Sequence, residues 1–130
     1  MADLRYRRLH LAALAVAVAI AVGLLMPIPP EILPAELDWS LPIDKVAHFA
    51  LFLVAAMVWR RSFAALGWRS PGIAVVVVAA LYGGLLELAQ GLWTERTPEL
   101  ADLLAGTCGA LIGVLVFPNR PSRKCSGRTP

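Results

Sequence analysis

The chain has 130 residues, of which 58% are hydrophobic and 16% charged, with a formal net charge of +3. A soluble domain of this size carries roughly a quarter charged and a half apolar residues, so the composition excludes disorder, collagen and coiled coil, and argues against an ordinary soluble enzyme. The length allows one domain; at about 20 apolar residues per membrane helix, about four spans fit and six do not.

The first apolar run is Leu9 to Met26, preceded by Arg5, Arg7 and Arg8. A secretory signal peptide also pairs a basic segment with an apolar one. No small-x-small cleavage site follows, however; Pro27, Pro29 and Pro30 come instead, and an uncleaved span is favoured. Residues 27–42 are Pro-rich and acidic (Glu31, Glu36, Asp38) and read as a surface loop with Trp39 at the interface. The second run covers about 42–63, with Ser40 as its N-cap and Pro42 in its first turn. Arg60 and Arg61 shorten its apolar stretch but can snorkel to the interface. The third run covers about 71–93 and opens with Ser70-Pro71. The fourth covers about 98–117, opens with Thr97-Pro98, and at 1.5 Å per residue reaches across about 30 Å. Residues 1–8 and 118–130 are basic end segments around a membrane domain of residues 9–117.

The charges orient the spans. Arg5, Arg7, Arg8, Arg60, Arg61, Arg69, Arg120, Arg123, Lys124 and Arg128 precede run one, join runs two and three, or follow run four; they are ten of the 12 basic residues. Asp3 is the one acidic residue in those segments. The positive-inside rule then puts both termini in the cytoplasm. The expected fold is all-α, an integral membrane four-helix bundle of the bacterial cytoplasmic (inner) membrane, multi-pass, with N- and C-termini cytoplasmic. The basic clusters flank apolar runs, so no nucleic-acid partner is expected. The two cysteines, Cys108 and Cys125, are too few for a disulfide scaffold, and a bridge between them is not expected.

The informative residues are ionisable groups at the ends of runs two, three and four, which antiparallel topology brings to the outer side. They are Asp44, Lys45 and His48, then Glu87 and Gln90, then Arg96, Glu99 and Asp102. Asp44 and His48 are four apart, on one helix face, and Glu87/Gln90 and Glu99/Asp102 are each three apart. Glu87 lies about 9 Å inside the end of its helix at Trp93. A carboxylate at that depth needs a partner or a water-filled setting. A polar pocket sunk in the outer leaflet is expected. Taken singly, Asp44, Glu99 and Asp102 also suit the helix dipole of a first turn, and Arg96 suits a solvated loop pair with Glu95 or Glu99. One histidine among carboxylates lacks the spacing of a metal site, so neither a metal nor a cofactor is expected. Gly83 and Gly84 in run three, and Gly106, Gly109 and Gly113 in run four, read as surfaces for close helix packing. His10, beside the N-terminal arginines, reads as interfacial.

These residues resemble the VanZ-like family of small bacterial membrane proteins. The resemblance rests on Asp44-Lys45-Val46-Ala47-His48-Phe49, Glu87-Leu88-Ala89-Gln90, Arg96, Asp102-Leu103-Leu104-Ala105 and Gly109-Ala110-Leu111-Ile112-Gly113, in the family's order over roughly residues 40 to 117. One departure is Gly106, where the family usually has Asn. The family's namesake is associated with teicoplanin resistance, so the resemblance implies a role in the cell envelope and in resistance to that antibiotic.

Three functions compete. The favoured one is binding or processing of a cell-envelope amphiphile, such as a lipid-linked intermediate, a phospholipid headgroup or a lipoglycopeptide. Lys45 and Arg96 would hold its head, Gln90 and Glu99 would line the site, and His48 or Glu87 would be the general base of any chemistry, with Asp44 and Asp102 as further candidates. No activated Ser, Cys or Thr is evident, so no covalent intermediate is expected. The alternative is a structural or partner-binding protein whose polar cluster locks the helices. A proton or ion relay is the least favoured, because the cytoplasmic half looks apolar. Membrane lipids are the expected partners, and a homo-oligomer is compatible with the small-residue faces.

Overall fold

The computed structural model describes residues 2–26, 43–93 and 98–118. The expected loop at 27–42 with Ser40, Trp39 and Pro42, the positions of Arg96 and Thr97, and the tail from 119 onward lie outside the described residues. Four helices follow in order: α1 (Ala2–Leu25), α2 (Ile43–Ala65), α3 (Pro71–Trp93) and α4 (Leu100–Val116). There is no strand among the described residues. The first three are long and apolar enough to cross a membrane, and α4 is a shorter apolar helix of 17 residues, about 25 Å long. The protein is an all-α membrane four-helix bundle.

Two boundaries differ from the hydropathy reading. α1 runs back through Arg8, Arg7 and Arg5 to Ala2. Arginine is a good helix former, so the backbone ladder continues where the apolar run stops. α4 starts at Leu100, with Glu99 as an extended N-cap residue, and not at Pro98. Pro98 packs instead on α3, where a Cβ added to Gly91 would meet its ring at 2.6 Å. The start of α3 at Pro71 agrees with its sequence signal, and Ala74 N–H donates to the Ser70 carbonyl at 3.1 Å. α2 ends in a left-handed glycine cap. Gly67 has φ 78°, its N–H donates to Ala64, and Trp68 N–H reaches back to Phe63. The rings of Phe63 and Trp68 stack at 5.0 Å across that cap.

α2 is the central helix. It packs against the other three, most extensively against α4, while the backbones of α1 and α4 stay apart among the described residues. Its buried stripe is His48, Phe52, Ala55, Ala56, Trp59 and Ser62, mostly three or four residues apart, as one helix face requires. α4 answers with Asp102, Gly106, Gly109, Ala110 and Gly113. A Cβ on Gly109 would collide with the Phe49 carbonyl, and one on Gly113 would lie 2.7 Å from the Leu53 carbonyl oxygen. The backbones of α2 and α4 are therefore close enough to exclude side chains, as small-residue membrane interfaces permit. Gly83 serves the same end against Leu103 and Phe52, whereas Gly84 has nothing within 4 Å.

The rings of Phe52, Trp59 and Tyr82 meet edge-on or tilted, with centroids 5.8–6.2 Å apart. α1 is tied on by donors from its neighbours: Trp59 Nε1 to the Ala13 carbonyl (3.1 Å), Tyr82 OH to Ala17 (2.6 Å) and Gln90 Nε2 to Leu24 (2.8 Å). His10, expected at the interface, is part-buried, with Nδ1 2.6 Å from Ser62 Oγ. The outer surface is apolar; Leu81, Leu85, Leu88 and Leu92 form one exposed stripe on α3. Such a face suits hydrocarbon and needs no protein partner.

The glycine seam gives a direct test. Gly109→Ala is expected to destabilise the folded protein by about 1–3 kcal/mol or more, because overpacking here meets backbone. Gly84→Ala is expected to be neutral or slightly stabilising, since alanine favours helix by up to about 1 kcal/mol. Thermal unfolding of both variants in detergent checks the contrast.

Candidate functional site

The buried stripes end in polar residues. His48 opens that of α2, Glu87 and Gln90 close that of α3, and Asp102 opens that of α4. α2 and α4 start at the end of the bundle where α3 finishes, so three ionisable groups converge there. His48 is 2% exposed, Glu87 6% and Asp102 7%. One ring nitrogen and one oxygen of each carboxylate lie within 4.8 Å of one another.

Each side chain is oriented by its helix. His48 Nδ1 is 2.9 Å from the Asp44 carbonyl one turn earlier. A carbonyl only accepts, so Nδ1 carries a proton and Nε2 is presented to the cluster. Nε2 lies 3.2 Å from Glu87 Oε1. The other Glu87 oxygen, Oε2, accepts the Glu99 N–H at 3.1 Å, an otherwise uncapped donor at the start of α4. Lys45 Nζ stands 2.7 Å from Glu99 Oε2 and 3.3 Å from Asp102 Oδ1, and so joins α2 to α4. Lys45 and Glu99 form the rim, with side chains 36% and 52% exposed. Beneath them His48 Nε2, Glu87 Oε1 and Asp102 Oδ1 are buried without a hydrogen bond among the described residues. The Lys45 ammonium is at ion-pair distance from Asp102 Oδ1 and holds its charge from the rim.

The structure thus gathers His48, Glu87, Asp102, Lys45 and Glu99 from the expected set. Asp44 contributes its carbonyl to His48. Gln90 sends its amide to Leu24 of α1. Arg96 lies outside the described residues. Thr107, beside Gly106, bonds back to its own helix at the Leu103 carbonyl, 2.8 Å away. Arg60, which the sequence allows to snorkel, has a further role. Its guanidinium donates to the Val114 and Phe117 carbonyls and so caps the far end of α4.

Among the described residues Arg5, Arg60, Arg61 and Arg69 lie at the opposite end. A cavity of about 760 Å³ there is lined by Arg5, Leu9, Met57, Arg61 and Val116, and a second of about 550 Å³ by Arg60, Arg69, Ser70 and Val114. Neither touches the histidine–carboxylate cluster. Arginines lining clefts beside apolar residues suit the head-group level of a lipid bilayer.

The sequence matches the family model described as VanZ/LLP1 over residues 6–120, a span that includes the whole cluster. The chain belongs to that family. No curated protein and no solved structure matches it.

Glu87 has two separable tasks, and substitution distinguishes them. Glu87→Gln keeps an oxygen for the Glu99 N–H, so the fold is expected to persist. Glu87→Ala leaves that donor unsatisfied, with an expected loss of about 1–3 kcal/mol. Unfolding midpoints of the two variants in matched detergent check the difference.

Proposed function

We propose that this VanZ-family membrane protein binds, and acts upon or sequesters, the polar head of a cell-envelope amphiphile at the histidine–carboxylate cluster. In this reading the protein is a multi-pass protein of the bacterial inner membrane with both termini cytoplasmic, and the cluster lies in the outer leaflet. Separation of Arg5, Arg60, Arg61 and Arg69 from the acidic end supports that orientation. The observation that carries the proposal is the set of three buried polar atoms without hydrogen bonds beneath a solvent-accessible Lys45–Glu99 rim. Unsatisfied buried groups are costly, and a ligand's donors and acceptors would relieve that cost. The apolar outer surface beside the site suits the tail of such a molecule. His48 Nε2 is the lone pair placed to accept a proton if chemistry follows binding. A lipoglycopeptide such as teicoplanin, or the envelope lipid it engages, fits this class.

A second reading has its own support. Glu87 caps α4 and Lys45 bridges α2 to α4, so the cluster also acts as a lock between helices.

One comparison separates the two. A teicoplanin-sensitive bacterium would express the wild-type chain or His48→Ala/Glu87→Gln at equal membrane levels. Protection by the wild type and its loss in the variant are expected from a binding site. Equal protection by both would sink the binding reading and leave the lock, and no protection by the wild type would remove teicoplanin from the reading.

A further inference from the structure

We propose that His48 Nε2, Glu87 Oε1 and Asp102 Oδ1 bind one divalent transition-metal ion, of which zinc is the best match. The ion would occupy the same three atoms that the proposed function offers to an amphiphile head, so with the ion bound the head would meet its fourth coordination position and His48 Nε2 would not act as a base.

Four observations converge on it. The first is placement: an imidazole nitrogen and two carboxylate oxygens, from three different helices, lie within 4.8 Å of one another. Zinc–nitrogen and zinc–oxygen bonds of about 2.0–2.2 Å hold tetrahedral ligands about 3.3 Å apart. The His48–Glu87 pair is already at 3.2 Å, and the other separations, at most 4.8 Å, would have to shorten by up to about 1.5 Å on binding. The second is burial, since all three residues are more than nine-tenths buried and the three atoms concerned have no hydrogen bond among the described residues.

The third is the orientation of the ligands. A metal-bound histidine almost always donates its other ring N–H to a carbonyl or carboxylate, and metal-bound carboxylates are hydrogen-bonded in turn. His48 donates Nδ1–H to Asp44 O, and Glu87 takes the Glu99 N–H on Oε2, which leaves Nε2 and Oε1 facing inward. The fourth is charge. Lys45 at the rim serves both Glu99 and Asp102, and no cation among the described residues faces Glu87 apart from a protonated His48. A proton shared between His48 and Glu87 would satisfy those two atoms and leave Asp102 Oδ1 as it is. A dication satisfies all three and offsets both buried carboxylates, while Lys45 keeps its shorter contact with Glu99.

The donor set narrows the ion. A nitrogen ligand and a closed, three-ligand geometry suit zinc or a neighbouring transition metal, with a fourth position left for water or a ligand oxygen. Magnesium prefers six oxygens and retains several waters, for which this degree of burial leaves little place.

The test uses the full chain in detergent, carrying a histidine-free tag and the changes Cys108→Ser and Cys125→Ser. After chelator stripping, zinc is titrated against a chromophoric competitor, and cobalt(II) is added in parallel as a spectroscopic probe. One equivalent of tightly bound zinc is expected, with four-coordinate cobalt absorption in the visible and no competition from millimolar magnesium. Glu87→Gln, Asp102→Asn and His48→Ala should each weaken zinc by at least about tenfold, while His10→Ala, which removes the other imidazole, should leave affinity unchanged. Far less than one equivalent in folded wild-type protein would overturn the proposal, whatever the variants do. Undiminished affinity in any of the three folded cluster variants would also overturn it.

Discussion

The close approach of α4 to the backbone of α2 is the constraint on which the other features rest. Between membrane helices there is little hydrophobic driving force, because lipid tails are as apolar as leucine; packing contact and hydrogen bonds must hold them together. Gly109 and Gly113 let α4 lie against the Phe49 and Leu53 carbonyls. That seam fixes the register of the two helices. Asp102 lies on the same α4 face as the glycines, and His48 on the same α2 face as Phe52. A register that seats the glycines therefore also seats the aspartate beside the histidine. The chemistry at the end of the bundle follows from packing further down it.

Glu87 is where packing alone stops being a sufficient account. α4 is the shortest helix, and both its ends are satisfied by other elements: Glu87 at Glu99, Arg60 at Val114 and Phe117. A cap hydrogen bond contributes about 0.5–2 kcal/mol. Burying an ionised carboxylate costs several kcal/mol before any partner is counted. A neutral glutamine would cap the same donor without that penalty. The second oxygen, turned toward His48 and Asp102, is what distinguishes the glutamate, and it is the part of the side chain that helix locking does not use.

The sequence made the helices legible wherever a local signal set the boundary. Ser70-Pro71 placed the start of α3, and the apolar runs placed four helices. It failed where tertiary contact decided. Thr97-Pro98 carries a helix-start signal, but Pro98 is held on Gly91 and α4 starts two residues later. The basic residues before Leu9 were assigned to a segment of their own, yet hydropathy does not terminate a hydrogen-bond ladder. Within the site, Glu87 was legible from its depth and His48 from its spacing to Asp44. Asp102 was ambiguous because a first-turn acidic residue also suits the helix dipole; its alignment with Gly106, Gly109 and Gly113 was the available signal that it faces inward. Gln90 was grouped with the pocket by its three-residue spacing from Glu87, and only the position of α1 shows where its amide goes. The capping role of Arg60 had no local signature.

Gly106 connects the family comparison to the shape of the site. It occupies the position where the resemblance leads one to expect an asparagine, and a Cβ there would lie 3.0 Å from the Phe52 ring. Phe52 is almost wholly buried, one turn below His48, as Gly106 is one turn below Asp102. The ring and the missing side chain are one packing solution, and together they put an apolar floor under the cluster. Below that floor the buried residues are Ala55, Ala56, Trp59, Val75, Ala79 and Ala110. Among the described residues the polar atoms of Trp59 and Tyr82 there are spent on α1 carbonyls, and at the far end Ser62 meets His10. A relay for protons or ions needs ionisable groups through the full depth of the membrane. Among the described residues the buried carboxylates of this interior, Glu87 and Asp102, lie at one end, and the Phe52 ring closes beneath them.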